Sequence, residues 1–122
     1  MADNMKVKAG GLDEFDPEEF VKMMIPILAS HMEIGSQQLV DMMSYVELCD
    51  LAWMKLLRHP DRLTGDLLCQ VIKRHERFRV EAAALLLLKE PTTEQLCCVH
   101  TFVSEYAGVA RTMLVKRGCR LP

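Results

Sequence analysis

The chain has 122 residues, of which 50% are hydrophobic and 26% are charged, the composition of one ordinary globular domain. Its five cysteines are an odd number without framework spacing, and no apolar run is long enough for a secretory signal or a membrane span. These features exclude a disulfide-stapled secreted protein. They predict a soluble cytoplasmic or nuclear protein with reduced thiols and no membrane insertion.

The formal net charge of −2 hides an uneven distribution of charge along the chain. Residues 1–54 carry ten acidic and three basic side chains, whereas residues 55–122 carry seven acidic and twelve basic ones. An imbalance of this kind bears on partners and on self-association rather than on the fold.

The first residues differ in pattern from the rest of the chain. Residues 1–15 lack helical periodicity and contain two adjacent glycines, which predicts a flexible leader that is acidic toward its end. Residues 16–122 show helical spacing of apolar side chains almost throughout, and they are predicted to form a single helical domain.

A first helix is predicted over residues 17–32. Asp16 can cap it, and Pro17 suits the first helical position because its missing N–H is not needed there. Pro26 lies in the interior and removes one backbone hydrogen bond. The helix is therefore expected either to kink or to split at that residue.

Three longer helices are predicted after the first, over residues 37–58, 65–89 and 92–117. Each carries apolar residues at spacings of three and four, and glycine or proline residues separate them. No internal repeat is evident. Four helices joined by short loops predict an all-α, four-helix bundle-like domain, and its surplus apolar surface predicts self-association.

No catalytic, metal or nucleotide-binding motif stands out. Cys97, Cys98 and His100 form a small cluster, but a structural zinc site needs four ligands and no second pair completes it. The sequence therefore predicts a protein that is not an enzyme and that holds no metal or cofactor.

Two polar residues lie inside or beside the apolar stripe of the third predicted helix. His75 and Arg79 are four residues apart, so they share a face of that helix. One interpretation is a hydrogen-bonded histidine and an arginine at the edge of the stripe. The alternative is a polar contact at an interface, with Glu47 or Asp50 of another helix as the partner.

The apolar surplus indicates the leading function, which is a protein–protein interaction module that homodimerises. The third predicted helix is apolar on all sides near its end, and the first predicted helix carries more apolar residues than a single buried face requires. The expected interface residues are Leu85, Leu87, Leu88, Met23, Met24 and Ile27.

Clustered basic side chains indicate the alternative function, which is binding of an RNA or DNA backbone, duplex RNA included. Lysine and arginine repeated along an exposed helix face can follow phosphates without reading bases. The candidate residues lie on the third predicted helix and around the preceding loop, and they are Lys73, Arg74, Arg77, Lys55, Arg58 and Arg62.

Overall fold

A computed structural model describes residues 16–121, so the leader predicted over residues 1–15 lies outside the described residues. Over that range the chain is all-helical and contains no strand. Chain contacts divide it into two compact units, Met1–Met32 and Glu33–Pro122. None of the helices within residues 16–121 is both long enough and apolar enough to cross a membrane.

The first unit contains helix α1 (Pro17–Ala29). Asp16 caps it, because its Oδ1 accepts a hydrogen bond from the backbone N–H of Glu18 at 3.0 Å. The helix continues through Pro26 without a break and ends three residues earlier than predicted. It ends there because Ser30 takes an extended conformation, and its hydroxyl donates to the carbonyl of Ile27 at 2.6 Å.

The second unit contains three successive helical hairpins. Their helices are α2 (Ser36–Met42) and α3 (Cys49–Leu57), α4 (Gly65–Arg74) and α5 (Arg79–Leu87), and α6 (Thr93–Phe102) and α7 (Ser104–Lys116). Single-turn 3-10 helices lie at Pro60–Arg62 and Glu76–Phe78. Each of the three long helices predicted from the sequence is therefore two shorter helices, and the four-helix arrangement is corrected on this point.

The interior breaks come from side-chain burial rather than from glycine or proline. His75 (φ −127°, ψ 84°) and Val103 (φ −124°, ψ 92°) are extended, and each separates the two helices of its hairpin. Both side chains are buried at these corners, so the chain turns there to keep them inside. In the first hairpin, residues 43–48 form turns instead, in which Ser44 N–H bonds to the carbonyl of Asp41.

The three hairpins share a repeated pattern of buried side chains, which corrects the expectation that no repeat is present. The first helices bury a leucine at the same place in every hairpin, at Leu39, Leu68 and Leu96. The second helices bury an alanine and, four residues later, a leucine, at Ala52 and Leu56, Ala82 and Leu86, and Ala110 and Leu114. These residues recur every 28 to 30 positions, and none exposes more than 4% of its surface.

Neighbouring hairpins pack side by side with their helices running in the same direction. Helix α4 contacts both α2 and α6, and α5 contacts α7. Side-chain hydrogen bonds fix the register of α2 against α4, because Gln37 bonds to Gln70 and, one turn later, Asp41 bonds to Arg74. Stacking of similar hairpins on their neighbours is the architecture of helical repeat proteins.

Candidate interaction surface

The second helices of the three hairpins place apolar side chains on their outer surface in matching positions. In each helix the residue after the repeated buried leucine is apolar and partly or largely exposed. These residues are Leu57, Leu87 and Val115. Because the hairpins are in register, the three positions lie at the same level of neighbouring helices.

Helix α5 carries a row of apolar side chains along one side. Val80, Ala84 and Leu88 follow one another at intervals of four residues, which places them on one side of the helix. Leu88, directly after the end of the helix, exposes 82% of its surface. The neighbouring helix α3 adds Met54, which is 55% exposed.

Two side-chain hydrogen bonds hold α3 alongside α5. Trp53 Nε1 donates to Glu81 Oε2 at 3.1 Å near the start of the pair, and Lys89 Nζ donates to the Pro60 carbonyl at 3.0 Å beyond its end. The buried Trp53 ring also lies 5.6 Å from the Phe78 ring, centroid to centroid. These contacts fix the spacing of the apolar side chains that the two helices expose between them.

The ends of the three second helices carry opposite charges. The first turns contain the acidic residues Asp50, Glu81 and Glu105. Exposed basic residues lie at or just beyond the last turns, and they are Arg58, Lys89 and Lys116. The outer face therefore has an acidic edge at the start of the helices and a basic edge at their end, and the exposed Leu57, Leu88 and Val115 lie beside the basic edge.

The predicted interface residues fall into two groups. On the second unit, Leu88 is exposed, and Leu85 and Leu87 are half-buried. On α1, Met23 is exposed at 57% and Ile27 is half-buried, whereas Met24 is buried and is not available to a partner. Sequence reasoning missed Leu57, Val115 and Met54. The repeated alanine–leucine spacing is the signal that could have found them.

Three of the basic residues considered for nucleic-acid binding form ion pairs with acidic residues of the first hairpin and its lead-in. Arg62 lies 3.3 Å from Glu33, Arg74 lies 2.8 Å from Asp41, and Arg77 lies 3.1 Å from Asp50. The Arg74 hydrogen bond lowers the pKa of Asp41 below its ordinary value. Ion pairs within the chain thus neutralise part of the charge imbalance between the two halves of the sequence.

The other three basic candidates differ in exposure. Lys55 is buried, so it does not belong to an exposed basic face. Arg58 is exposed at the end of α3, and Lys73 is exposed on α4 beside a cleft.

A cleft of about 560 Å³ lies between α4 and α6. It is lined by Asp66, Cys69, Gln70, Lys73, Thr92, Thr93, Glu94, Gln95 and Cys98. Burial raises the pKa of Cys69 to about 12 and also raises the pKa of Cys98. Both thiols stay protonated near neutral pH, so neither is an activated nucleophile.

The Cys97, Cys98 and His100 cluster does not make a metal centre. Over residues 16–121, no three histidine, cysteine or acidic side chains are arranged to hold a metal ion. Cys98 is buried, whereas Cys97 is exposed.

His75 and Arg79 bond to main-chain carbonyls, as the first of the two interpretations predicted. A ring nitrogen of the buried His75 lies 2.8 Å from the Val40 carbonyl of the first hairpin, and burial lowers its pKa. Arg79 Nε donates to the Ile72 carbonyl at 2.6 Å, and its guanidinium lies 5.7 Å from the Phe102 ring centroid in the third hairpin. These two residues therefore connect the middle hairpin to both of its neighbours.

Comparison of the chain with protein family models, with curated proteins and with solved structures finds no match.

Proposed function

We propose that this protein is a non-enzymatic protein-interaction module that homodimerises through the outer face of α3, α5 and α7. The observation that carries the proposal is the apolar face of α5, which ends in Leu88 with 82% of its surface exposed. Apolar residues that line up on an exposed helix face are typical of an interface, because leaving them in water is unfavourable.

The arrangement of charge on this face supports a second copy of the same chain as the partner. In a two-fold symmetric dimer with antiparallel helices, the acidic edge of one copy meets the basic edge of the other. Glu81 then faces the end of the opposite α5, where Lys89 lies. The same pairing covers the exposed apolar side chains of both faces.

This dimer provides a role for the four-helix packing expected from the sequence. Helices α3 and α5 of one copy, held together by the Trp53–Glu81 bond, pack across the two-fold axis on the same pair of the other copy. The four helices form a bundle between chains rather than within one. Leu57 and Leu88 lie in its buried part.

Nucleic-acid binding ranks second, because the arginines that it requires are already engaged. Arg74 and Arg77 each bond to a carboxylate of the first hairpin, so binding to phosphate must first separate these pairs. Exposed ion pairs are weak, at about 0 to 1 kcal/mol, so the exchange is feasible but lowers the gain from each contact. No described feature favours phosphate over these carboxylates.

Light scattering coupled to size-exclusion chromatography tests the proposal over a range of loading concentrations. The wild-type chain is expected to elute as a dimer of the 13.9 kDa chain. Changing Leu57→Glu or Leu88→Glu is expected to raise the dimer dissociation constant about tenfold or more, because each change buries an unpaired carboxylate.

Val46→Glu is the matched control, because Val46 is 76% exposed but lies in the turn before α3, away from the outer face. This variant is expected to remain dimeric. A wild-type chain that stays monomeric at every concentration contradicts the proposal, and so does equal loss of the dimer in Val46→Glu and Leu88→Glu.

A further inference from the structure

Two cysteines from neighbouring hairpins meet in the cleft between α4 and α6. Cys69 projects from α4 and Cys98 from α6, and both line the same cavity. Cys69 is half-buried and Cys98 is buried, so small molecules in the cleft reach Cys69 first.

The register of the two helices explains why these thiols meet. Gln95 Nε2 donates to Asp66 Oδ1 at 3.4 Å in the first turns, and Cys69 and Cys98 follow one turn later on each helix. The Gln95 side chain lies against the start of α4, since a Cβ added to Gly65 would lie 2.5 Å from Gln95 Nε2. Cys69 and Cys98 therefore lie at the same level of the two helices, and both line the cleft between them.

We propose that Cys69 and Cys98 form a redox-active dithiol that closes to a disulfide between the second and third hairpins. The oxidant is a small disulfide of the glutathione type that enters the open cleft. The Cys69 thiol loses its proton and attacks one sulfur of the oxidant, which releases one thiol and leaves a mixed disulfide on Cys69. The Cys98 thiol loses its proton, attacks the Cys69 sulfur and releases the second thiol.

The overall reaction is balanced in atoms and electrons. Two protein thiols lose two electrons and become one disulfide, and the small disulfide gains two electrons and becomes two thiols. The reaction is slow at neutral pH, because both protein thiols are held in their protonated form. Lys73 and Arg79 lie near Cys98 and favour its thiolate during the second step.

The disulfide staples α4 to α6 and leaves the outer face of the second helices unchanged. A crosslink between Cys69 and Cys98 restricts the unfolded chain and is expected to raise the melting temperature by several degrees. The proposal does not depend on dimerisation, because the cleft lies between the first helices.

The experiment uses the full chain carrying Cys97→Ser and Cys119→Ser, which leaves Cys49, Cys69 and Cys98. Incubation with oxidised glutathione at pH 8 is followed by intact-mass measurement, peptide mapping and thermal unfolding. The expected product has lost two hydrogens, contains a peptide joined through residues 69 and 98, and melts at a higher temperature than the reduced chain.

The matched control adds Cys69→Ser to the same background and is expected to show no loss of hydrogens and no joined peptide. Three results overturn the proposal. They are a joined peptide that includes Cys49, a stable glutathione adduct on Cys69 that never resolves, and thiols that remain fully reduced after prolonged incubation.

Discussion

At the scale of single residues, His75 shows most clearly what the sequence could and could not determine. Its position on the stripe of a helix was visible from the spacing of apolar residues, and a hydrogen-bonded role was one of two interpretations. Its acceptor is the carbonyl of Val40, 35 residues earlier in the chain, and nothing in the local pattern identifies that partner. A contact between distant backbone and side chain depends on packing, which periodicity alone does not specify.

We expect His75→Ala to lower the free energy of unfolding by roughly 1 to 3 kcal/mol, because it removes the buried ring and its hydrogen bond to the Val40 carbonyl, which then keeps only its bond from the Met43 N–H. Urea unfolding followed by circular dichroism measures the change. His59→Ala is the control, because His59 is exposed, and it is expected to change stability by less than about 0.5 kcal/mol. Equal effects in the two variants would contradict the role assigned to His75.

The same histidine predicts a dependence of stability on pH. Burial lowers the pKa of folded His75 below the ordinary value of 6.5, so the unfolded chain binds the proton more readily. The stabilisation is complete above about pH 6.5 and is lost as the pH falls below it. We expect the difference in unfolding free energy between pH 7.5 and 5.5 to shrink in His75→Gln but to persist in His59→Gln.

At the scale of helices, the starts were predictable and the interior breaks were not. Thr64 and Thr92 cap α4 and α6, since each hydroxyl accepts a hydrogen bond from a first-turn N–H, that of Leu67 or Gln95, at 3.2 Å. The breaks at His75 and Val103 carry no glycine or proline. The chain turns there to bury a side chain. The three- and four-residue spacing of apolar side chains continues across such a corner, so the sequence does not reveal the break.

The repeated alanines of the second helices test the hairpin packing. Ala82 is fully buried, and we expect Ala82→Leu to destabilise the fold by about 1 to 3 kcal/mol because there is no space for three more carbon atoms. Ala84→Leu, two residues later on the half-buried outer side of the same helix, is the matched control and is expected to cost much less. Chemical unfolding of both variants measures the difference. Similar losses would show that the repeated alanine is not a packing position.

At the scale of the whole molecule, the charge imbalance of the sequence is explained in part by ion pairs within the chain, as well as by the proposed contact with a partner. The acidic residues Glu33, Asp41 and Asp50 pair with arginines of the following loop and the second hairpin. The sequence showed the imbalance but not these pairings, because they depend on the parallel stacking of neighbouring hairpins. Of the charges at the edges of the outer face, Asp50 is thus already paired, and Glu81 and Lys89 also bond within the chain, so a partner would share or exchange these contacts.

The apolar surplus was identified from the sequence, but its distribution over three helices was not. A run of leucines marked the end of α5 as unusual, whereas Leu57 and Val115 each follow one buried leucine and precede a basic residue. They belong to the same surface only because three hairpins of similar length stack in register. Periodicity within one helix contains no information about such alignment.

The central claim is that two copies pair through the outer face of α5 across a two-fold axis, and self-crosslinking at Ala84 tests it most directly. Ala84 lies midway between Val80 and Leu88, so the axis brings it next to its own copy. In a chain carrying Cys97→Ser and Cys119→Ser, the Ala84→Cys variant is expected to form a disulfide-linked dimer under mild oxidation. Thr101→Cys, exposed on α6, is expected to remain unlinked in the same background. Absence of the link from Ala84→Cys, or equal linking of both variants, would contradict the account.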